Sequence, residues 1–261
     1  MVLLAGWVLG CAVLAAQQDA LVFRPRVGTG PTPTTRALAF QDLQLTASDG
    51  VRLHAWYLPA AGRGRTVLFL HGNAGHLSHR LPTLATLHAL GHPVLALDYR
   101  GYGTSAGSPS EDGLARDAVA AWQWLTGPHG LAADDVVIYG RSLGGAVAAR
   151  LAAAVGPHAL VLESTFTRLA DLARERYPWV PVRWLLRMRF DSVAALAEVH
   201  CPVLVAHSPD DEVIPYAHGQ ALAAHARQGE FVTLRGAHDR AFRRAGAAYH
   251  AHLHRFIGAL D

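Results

Sequence analysis

Residues 136–149 read VVIYGRSLGGAVAA, and this stretch decides the fold. A β-branched run, a Gly-x-Ser-x-Gly-Gly turn and an alanine-rich segment predict a strand, a tight turn and a helix. Glycine at 140 and 144 lets the two backbones approach closely, because a Cβ there would clash. Such a turn raises the Ser142 hydroxyl above a sheet and aims the first free N–H groups of the helix at the same spot. The stretch predicts a nucleophile at Ser142; the alternative is a helix-capping serine in an ordinary turn.

A nucleophilic serine needs a base, and the base needs an orienting acid. Residues 230–234 predict the last strand, and His238 lies in the loop that leaves its carboxyl end. An acidic loop follows the preceding strand, predicted at 202–206, and sites in open α/β sheets form at such strand ends. The order serine, acid, histidine therefore favours His238 as the base, although the acidic loop could also be a turn that caps a helix. The candidate acids are Asp210, Asp211 and Glu212.

A third strand end supplies donors for an oxyanion. Residues 66–70 are wholly apolar, as in a strand buried on both faces, and residues 71–75 read HGNAG. A glycine-rich loop brings a backbone N–H close to a substrate oxygen, so we assign this donor to Asn73, paired with the N–H of Leu143. The other interpretation is that the glycines only permit a turn over a structural His71.

These motifs together resemble the α/β-hydrolase superfamily and, within it, the BEM46-like branch of membrane-anchored serine hydrolases. The resemblance runs from about residue 40 to the C-terminus and is carried by an ordered series of motifs. They are HGNAG at 71–75, DYRGYGTS at 98–105, GRSLGG at 140–145, ESTF at 163–166, DEVIP at 211–215 and GAH at 236–238.

The resemblance implies an α/β-hydrolase fold, with a mostly parallel sheet covered by helices on both faces and a small cap insert. It assigns the acid to Asp211, which opens the DEVIP segment. It also implies hydrolysis of a lipid-like acyl ester or thioester near a membrane, since the family includes lysophospholipid hydrolases and protein depalmitoylases.

Length and composition agree with one such domain. A chain of 261 residues with 51% hydrophobic content can build one large covered sheet. We predict a hydrophobic anchor or signal segment at 1–18, a linker at 19–39 and a hydrolase domain at 40–261. A cap insert is predicted at about 166–190, where prolines interrupt any long helix and aromatic residues alternate with arginines. The cap could offer an apolar wall to an acyl chain and arginines to an anionic head group or membrane, or could simply pack on the core.

All 23 basic residues are arginine, and lysine is absent from the sequence. This excludes a Ser-Lys dyad, a Schiff-base lysine and a Walker-type phosphate loop, which leaves histidine as the base. The net charge of +3 with scattered arginines does not indicate nucleic acid. No motif indicates a cofactor or a metal, and His250, His252 and His254 favour a solvated helix surface. The sequence does not predict an oligomeric state.

The N-terminus is apolar from residue 2 to 16 apart from Cys11, and no charge precedes Asp19. This length is slightly short for a membrane span and suits a signal-peptide core, but no arginine precedes it. The resemblance favours a retained single-pass anchor and hence membrane association; secretion and lipoprotein acylation at Cys11 are alternatives, and the membrane side stays open. With only Cys11 and Cys201, an internal disulfide is not expected.

The sequence thus favours an esterase or thioesterase that acts through an acyl-enzyme. An aminopeptidase on the same triad is the alternative, and Glu163 is its candidate for holding a peptide N-terminus. A non-catalytic binding protein would be expected to have lost part of the triad.

Overall fold

A computed structural model describes residues 2–62 and 64–258. The strands are β1 (Arg24–Pro25), β2 (Gln41–Thr46), β3 (Arg52–Leu58), β4 (Thr66–Leu70), β5 (Ala74–Gly75), β6 (Val94–Leu97), β7 (Val136–Arg141), β8 (Ala159–Glu163), β9 (Val203–His207) and β10 (Gly229–Thr233). The helices are α1 (Val2–Val22), α2 (Leu81–Ala89), α3 (Glu111–Thr126), α4 (Leu143–Val155), α5 (Leu169–Arg176), α6 (Val182–Leu185), α7 (Ser192–Ala197), α8 (Tyr216–His225), α9 (Ala241–Arg244) and α10 (Gly246–Ile257).

The main sheet of the described chain runs in the order β10-β9-β8-β7-β4-β6-β3-β2. β2 and β3 form an antiparallel hairpin, β3 is antiparallel to β6, and the remaining neighbours are parallel. The strands from β9 to β6 are buried along their whole length, as continuous apolar runs predict. The predicted α/β-hydrolase fold is confirmed in this topology.

Helices cover both faces of the sheet, so alternate residues of each central strand enter different cores. In β7, Val136 and Ile138 pack with α3, α4, α7 and α8, whereas Val137 and Tyr139 pack with α2, α9 and α10. The sheet therefore holds its carboxyl edge rigidly, and the loops on that edge form the site.

The N-terminal helix α1 packs against the cap that follows β8. The Trp7 indole N–H donates to the Trp179 carbonyl at 3.1 Å, and the Gln18 amide oxygen accepts from the Arg187 N–H at 2.8 Å. Within residues 2–62 and 64–258, none of the helices is long and apolar enough to cross a membrane.

The segment after α1 joins the loop that follows β4. β1 pairs in parallel with β5, and the Arg24 N–H donates to the Asn73 carbonyl at 3.0 Å. The helix runs to Val22, so residues predicted as the start of a linker are helical or paired. The domain boundaries proposed from the sequence stay predictions.

Candidate active site

Ser142 sits on the turn between β7 and α4 in a backbone conformation that non-glycine residues rarely adopt, with φ of +52°. Its N–H donates to the Glu163 carbonyl at 2.9 Å, and its own carbonyl accepts from the Thr165 hydroxyl at 2.7 Å. These bonds fix the turn. A Cβ at position 144 would overlap the Leu70 carbonyl oxygen, so the close approach predicted from this glycine is present.

The structure brings Ser142, His238 and Asp211 into one hydrogen-bonded chain. His238 Nε2 lies 3.1 Å from Ser142 Oγ, and His238 Nδ1 lies 2.8 Å from Asp211 Oδ2. The histidine is almost wholly buried and the Asp211 carboxyl is fully buried. This is the arrangement in which an imidazole can take the serine proton while a carboxylate orients it.

The three candidate acids take different places. Asp210 accepts from the Gly236 N–H at 2.9 Å, and Glu212 accepts from the His238 backbone N–H at 3.0 Å. Only Asp211 reaches the His238 ring among these three, as the resemblance implied. The neighbouring acids instead fix the histidine loop.

Asp211 is held ionised. Its Oδ1 accepts from the Val213 and Ile214 N–H groups at 2.9 and 2.8 Å, and His207 Nε2 lies 3.4 Å from Oδ2. Burial opposes ionisation, but hydrogen bonds from His207 and His238 hold the pKa of Asp211 well below its usual range. His207 ends β9, and its contact with the acid could not be predicted from the sequence.

The loop after β4 lies directly against the nucleophile. A Cβ at Gly72 would come within 3.1 Å of the Ser142 Cβ, so the loop approaches as the glycine-rich sequence predicts. Within the described residues, no hydrogen bond occupies the backbone N–H of Asn73 or of Leu143. Both donors are therefore free to bind a substrate oxygen, although their part in an oxyanion hole stays a prediction.

Two tyrosines of the 98–105 motif support this loop. The Tyr102 hydroxyl donates to the Asn73 carbonyl at 2.8 Å, and the Tyr99 hydroxyl donates to the His71 carbonyl at 3.2 Å. His71 itself is fully buried, with Nε2 3.4 Å from Asp98, and it packs beneath the loop. Although burial opposes it, His54 and His71 lower the pKa of Asp98 to about 2.

Glu163 does not face the open site. Its carboxylate is fully buried, lies 3.1 Å from Arg141 Nε and accepts from the Tyr139 hydroxyl. Arg141 in turn donates to the His238 carbonyl at 2.6 Å. This buried pair supports the histidine loop and leaves Glu163 unable to receive a substrate amine.

A cavity of about 540 Å³ opens at Ser142. The arginines predicted to face an anionic group lie in the cap, but the arginines that line this cavity come from four other segments of the chain. They are Arg24, Arg26, Arg80, Arg141 and Arg243. A separate apolar groove of about 100 Å³ lies between α1 and the cap.

Fold and site together define a hydrolase of the α/β type, and comparison with known proteins agrees. A family model described as serine aminopeptidase, S33, matches residues 63–194. An uncharacterised protein of Mycobacterium tuberculosis is 42% identical over 215 residues, covering 82% of this chain and 76% of its own. The α/β-hydrolase domain-containing protein WAV2 of Arabidopsis thaliana is 37% identical, covering 84% of this chain and 79% of its own. This chain belongs to the α/β-hydrolase superfamily.

Two further proteins are similar to this chain. The lysophosphatidylserine lipase ABHD12 of Danio rerio is 32% identical over 225 residues, covering 71% of this chain and 58% of its own. A solved structure of the Pyrococcus furiosus esterase Pf2001 superposes with a TM-score of 0.75 at 21% identity, covering 90% of this chain and 98% of that one. The first of these proteins is named as a lipase and the second as an esterase.

Proposed function

We propose that this protein is a serine hydrolase that cleaves carboxylic esters or thioesters of lipid-like acyl groups. The observation that carries the proposal is the continuous chain from Ser142 Oγ through His238 to Asp211, built on a strained turn. A strained backbone at a serine on a strand-to-helix turn is typical of a nucleophile. Such strain costs free energy and persists only where the surrounding packing maintains it, which is most common at functional sites.

The proposed mechanism passes through an acyl-enzyme, and the geometry of the site supports it. His238 Nε2 takes the Ser142 proton as Oγ attacks the acyl carbonyl, and Asp211 stabilises the imidazolium. The Asn73 and Leu143 N–H groups hold the tetrahedral oxyanion. His238 then protonates the leaving alcohol or thiol, which gives the acyl-enzyme. In the second half, His238 activates water, which attacks the ester to release the acid and restore Ser142.

An acyl chain has a place beside this machinery. The groove between α1 and the cap is lined almost entirely by apolar residues, including Val22, Val180 and Leu186. It adjoins the site, since the Val22 carbonyl accepts from the Asn73 side-chain amide at 3.0 Å. The lysophosphatidylserine lipase named above supports a lipid ester as the substrate, and the BEM46-like branch remains part of the proposal.

Membrane association through the N-terminal helix and the cap belongs to the same proposal. Trp7 and Val8 on α1 and Trp179 and Trp184 on the cap are exposed, and Trp184 is 82% exposed. Aromatic side chains with arginines nearby are typical of surfaces that lie in a lipid interface. Flotation with vesicles tests this, and Trp184→Ser is expected to weaken binding without lowering hydrolysis of a water-soluble ester.

An aminopeptidase would need a carboxylate to bind the peptide N-terminus, and Glu163 does not supply one because it is buried against Arg141. The arginines around the cavity would also repel a cationic peptide N-terminus.

The test of the proposal is hydrolysis of p-nitrophenyl esters from acetyl to palmitoyl, with fluorophosphonate labelling and amino-acyl p-nitroanilides in parallel. Ser142→Ala should lower kcat by at least about a thousandfold and abolish labelling. Ser164→Ala is the matched control, because Ser164 also has positive φ and its buried hydroxyl has no hydrogen-bond partner among the described residues. Full activity in Ser142→Ala, or hydrolysis of anilides alone, would contradict the proposal.

A further inference from the structure

The cavity at Ser142 carries an unusual concentration of positive charge. Five of its lining residues are arginines, and Asp239 is the single carboxylate among the lining residues that the structure describes. Arg141 already has a partner in Glu163, so its charge is matched inside the protein. The other four arginines leave an excess of positive charge facing the cavity.

Arg80 is the decisive member. Its Nε is buried and has no hydrogen-bond partner within the described residues, while one terminal nitrogen donates to the Ala74 carbonyl. No carboxylate of the described chain forms an ion pair with it. Burial, together with the nearby Arg141 charge, lowers the pKa of Arg80 to about 10, although the Asp239 and Asp98 carboxylates oppose this shift from a distance. A guanidinium whose Nε is buried without a counter-charge is costly unless an anion compensates it.

The fork of a guanidinium matches the oxygens of a phosphate or a carboxylate. Arg24 and Arg243 are exposed at the cavity and can close around the same group. Ser142 and His238 line the same cavity. One small molecule could therefore place its anionic group at the arginines and its ester carbonyl at Ser142.

We propose that this cavity binds an anionic group, a phosphate or carboxylate, carried by the ester substrate itself, with Arg80 as its principal ligand. The inference rests on the proposed function and deepens it. The apolar groove beside α1 takes the acyl chain and the arginine cavity takes the anionic head, so an amphiphile lies across Ser142 with its ester at the nucleophile.

The experiment compares two esters that differ only by one phosphate group, dodecanoylglycerol and dodecanoylglycerol phosphate, both below their micelle concentrations. We expect the wild-type kcat/KM to be at least about tenfold higher for the phosphate. Arg80→Gln should lower kcat/KM for the phosphate by about 10- to 100-fold, the range for one lost hydrogen bond to a charged group, and reduce the preference between the two esters. Arg80→Lys should recover part of the lost kcat/KM for the phosphate ester.

Two further variants keep the test decisive. Arg243→Gln changes an exposed cavity residue, so it applies even if Arg80→Gln disturbs the loop at Ala74. Arg150→Gln is the matched control, because Arg150 is exposed, pairs with Asp112 and does not line this cavity. We expect Arg243→Gln to reduce the preference and Arg150→Gln to leave it unchanged.

Equal rates on both esters, or equal losses on both in Arg80→Gln and Arg243→Gln, would overturn the proposal. So would stabilisation by inorganic phosphate without preference for the phosphate ester, since the cavity would then take a free anion. If neither ester is hydrolysed and Ser142 is not labelled, the proposed function fails separately. Binding of dodecyl phosphate then tests the anion site separately. A raised Tm in wild type but not in Arg80→Gln would support an anion site at Arg80, and an unchanged Tm in wild type would refute it.

Discussion

Replacing Asp211 by asparagine tests the assignment of the acid among three neighbouring carboxylates. The asparagine has the same shape, and its oxygen can still accept from the Val213 and Ile214 N–H groups at the Oδ1 position. Its amide nitrogen then faces His238 Nδ1, where the native carboxylate oxygen lies at 2.8 Å. The histidine would have to accept at Nδ1 and carry its proton on Nε2, toward Ser142, which is the wrong tautomer for a base.

The expected magnitude follows from the lost charge. An imidazolium and a carboxylate centred about 4 Å apart interact by about 4 kcal/mol at an effective dielectric constant of 20. Since about 1.4 kcal/mol is a factor of ten, losing this interaction lowers kcat by about a thousandfold, and the wrong tautomer extends the loss toward ten-thousandfold. KM should change little, because the stabilised imidazolium forms only during the reaction.

The assay is steady-state hydrolysis of a p-nitrophenyl ester, with circular dichroism to verify folding. Asp210→Asn is the matched control, since Asp210 bonds to the Gly236 N–H rather than to the histidine ring, and it should lose less than about tenfold. A folded Asp211→Asn enzyme with more than a tenth of wild-type kcat would refute the reasoning. An equal loss in Asp210→Asn would refute the choice of acid.

Three further predictions concern stability. Gly144→Ala should destabilise the fold by at least about 3 kcal/mol, visible as a lower Tm, because its Cβ would overlap the Leu70 carbonyl oxygen; an unchanged Tm would contradict this packing. Glu163→Gln leaves the Arg141 guanidinium buried without its counter-charge. The free energy of unfolding in urea should therefore fall by about 3 kcal/mol. An unchanged free energy of unfolding would show that the ion pair does not stabilise the fold. Burial lowers the pKa of His92 to about 4, whereas the unfolded chain titrates near 6.5, so the unfolded state binds more protons between these values. Stability should therefore fall by up to about 3 kcal/mol as the pH drops from 6.5 to 4, and His92→Gln should flatten that dependence in urea titrations at each pH.

The sequence predicted those features that depend on neighbouring residues. The strand, turn and helix around Ser142 are encoded within 14 consecutive residues, so their order and the close approach at Gly144 could be predicted. The histidine loop followed from its place after a strand. By contrast, the acid needed the family resemblance, because periodicity does not distinguish Asp211 from the carboxylates beside it.

The rest depends on tertiary packing. Arg24, Arg80 and Arg243 are far apart in sequence and line one cavity only because the segments that carry them fold over the same edge of the sheet. The tyrosine that holds the Asn73 carbonyl lies 29 residues away, in a motif whose role could not be predicted from composition or spacing. Contacts between residues far apart in the sequence cannot be predicted from local patterns. The environment of Glu163, which is buried against Arg141 rather than facing a substrate, could not be predicted for the same reason.

The pairing of β1 with β5 joins the N-terminal helix to the catalytic loop by backbone hydrogen bonds. Arg24 donates to the carbonyl of Asn73, and Arg26 donates to the carbonyl of Gly75. A displacement of the helix would therefore either break these two hydrogen bonds or carry with it the loop that faces the nucleophile. The position of α1 and the position of this loop are thus coupled by the backbone itself.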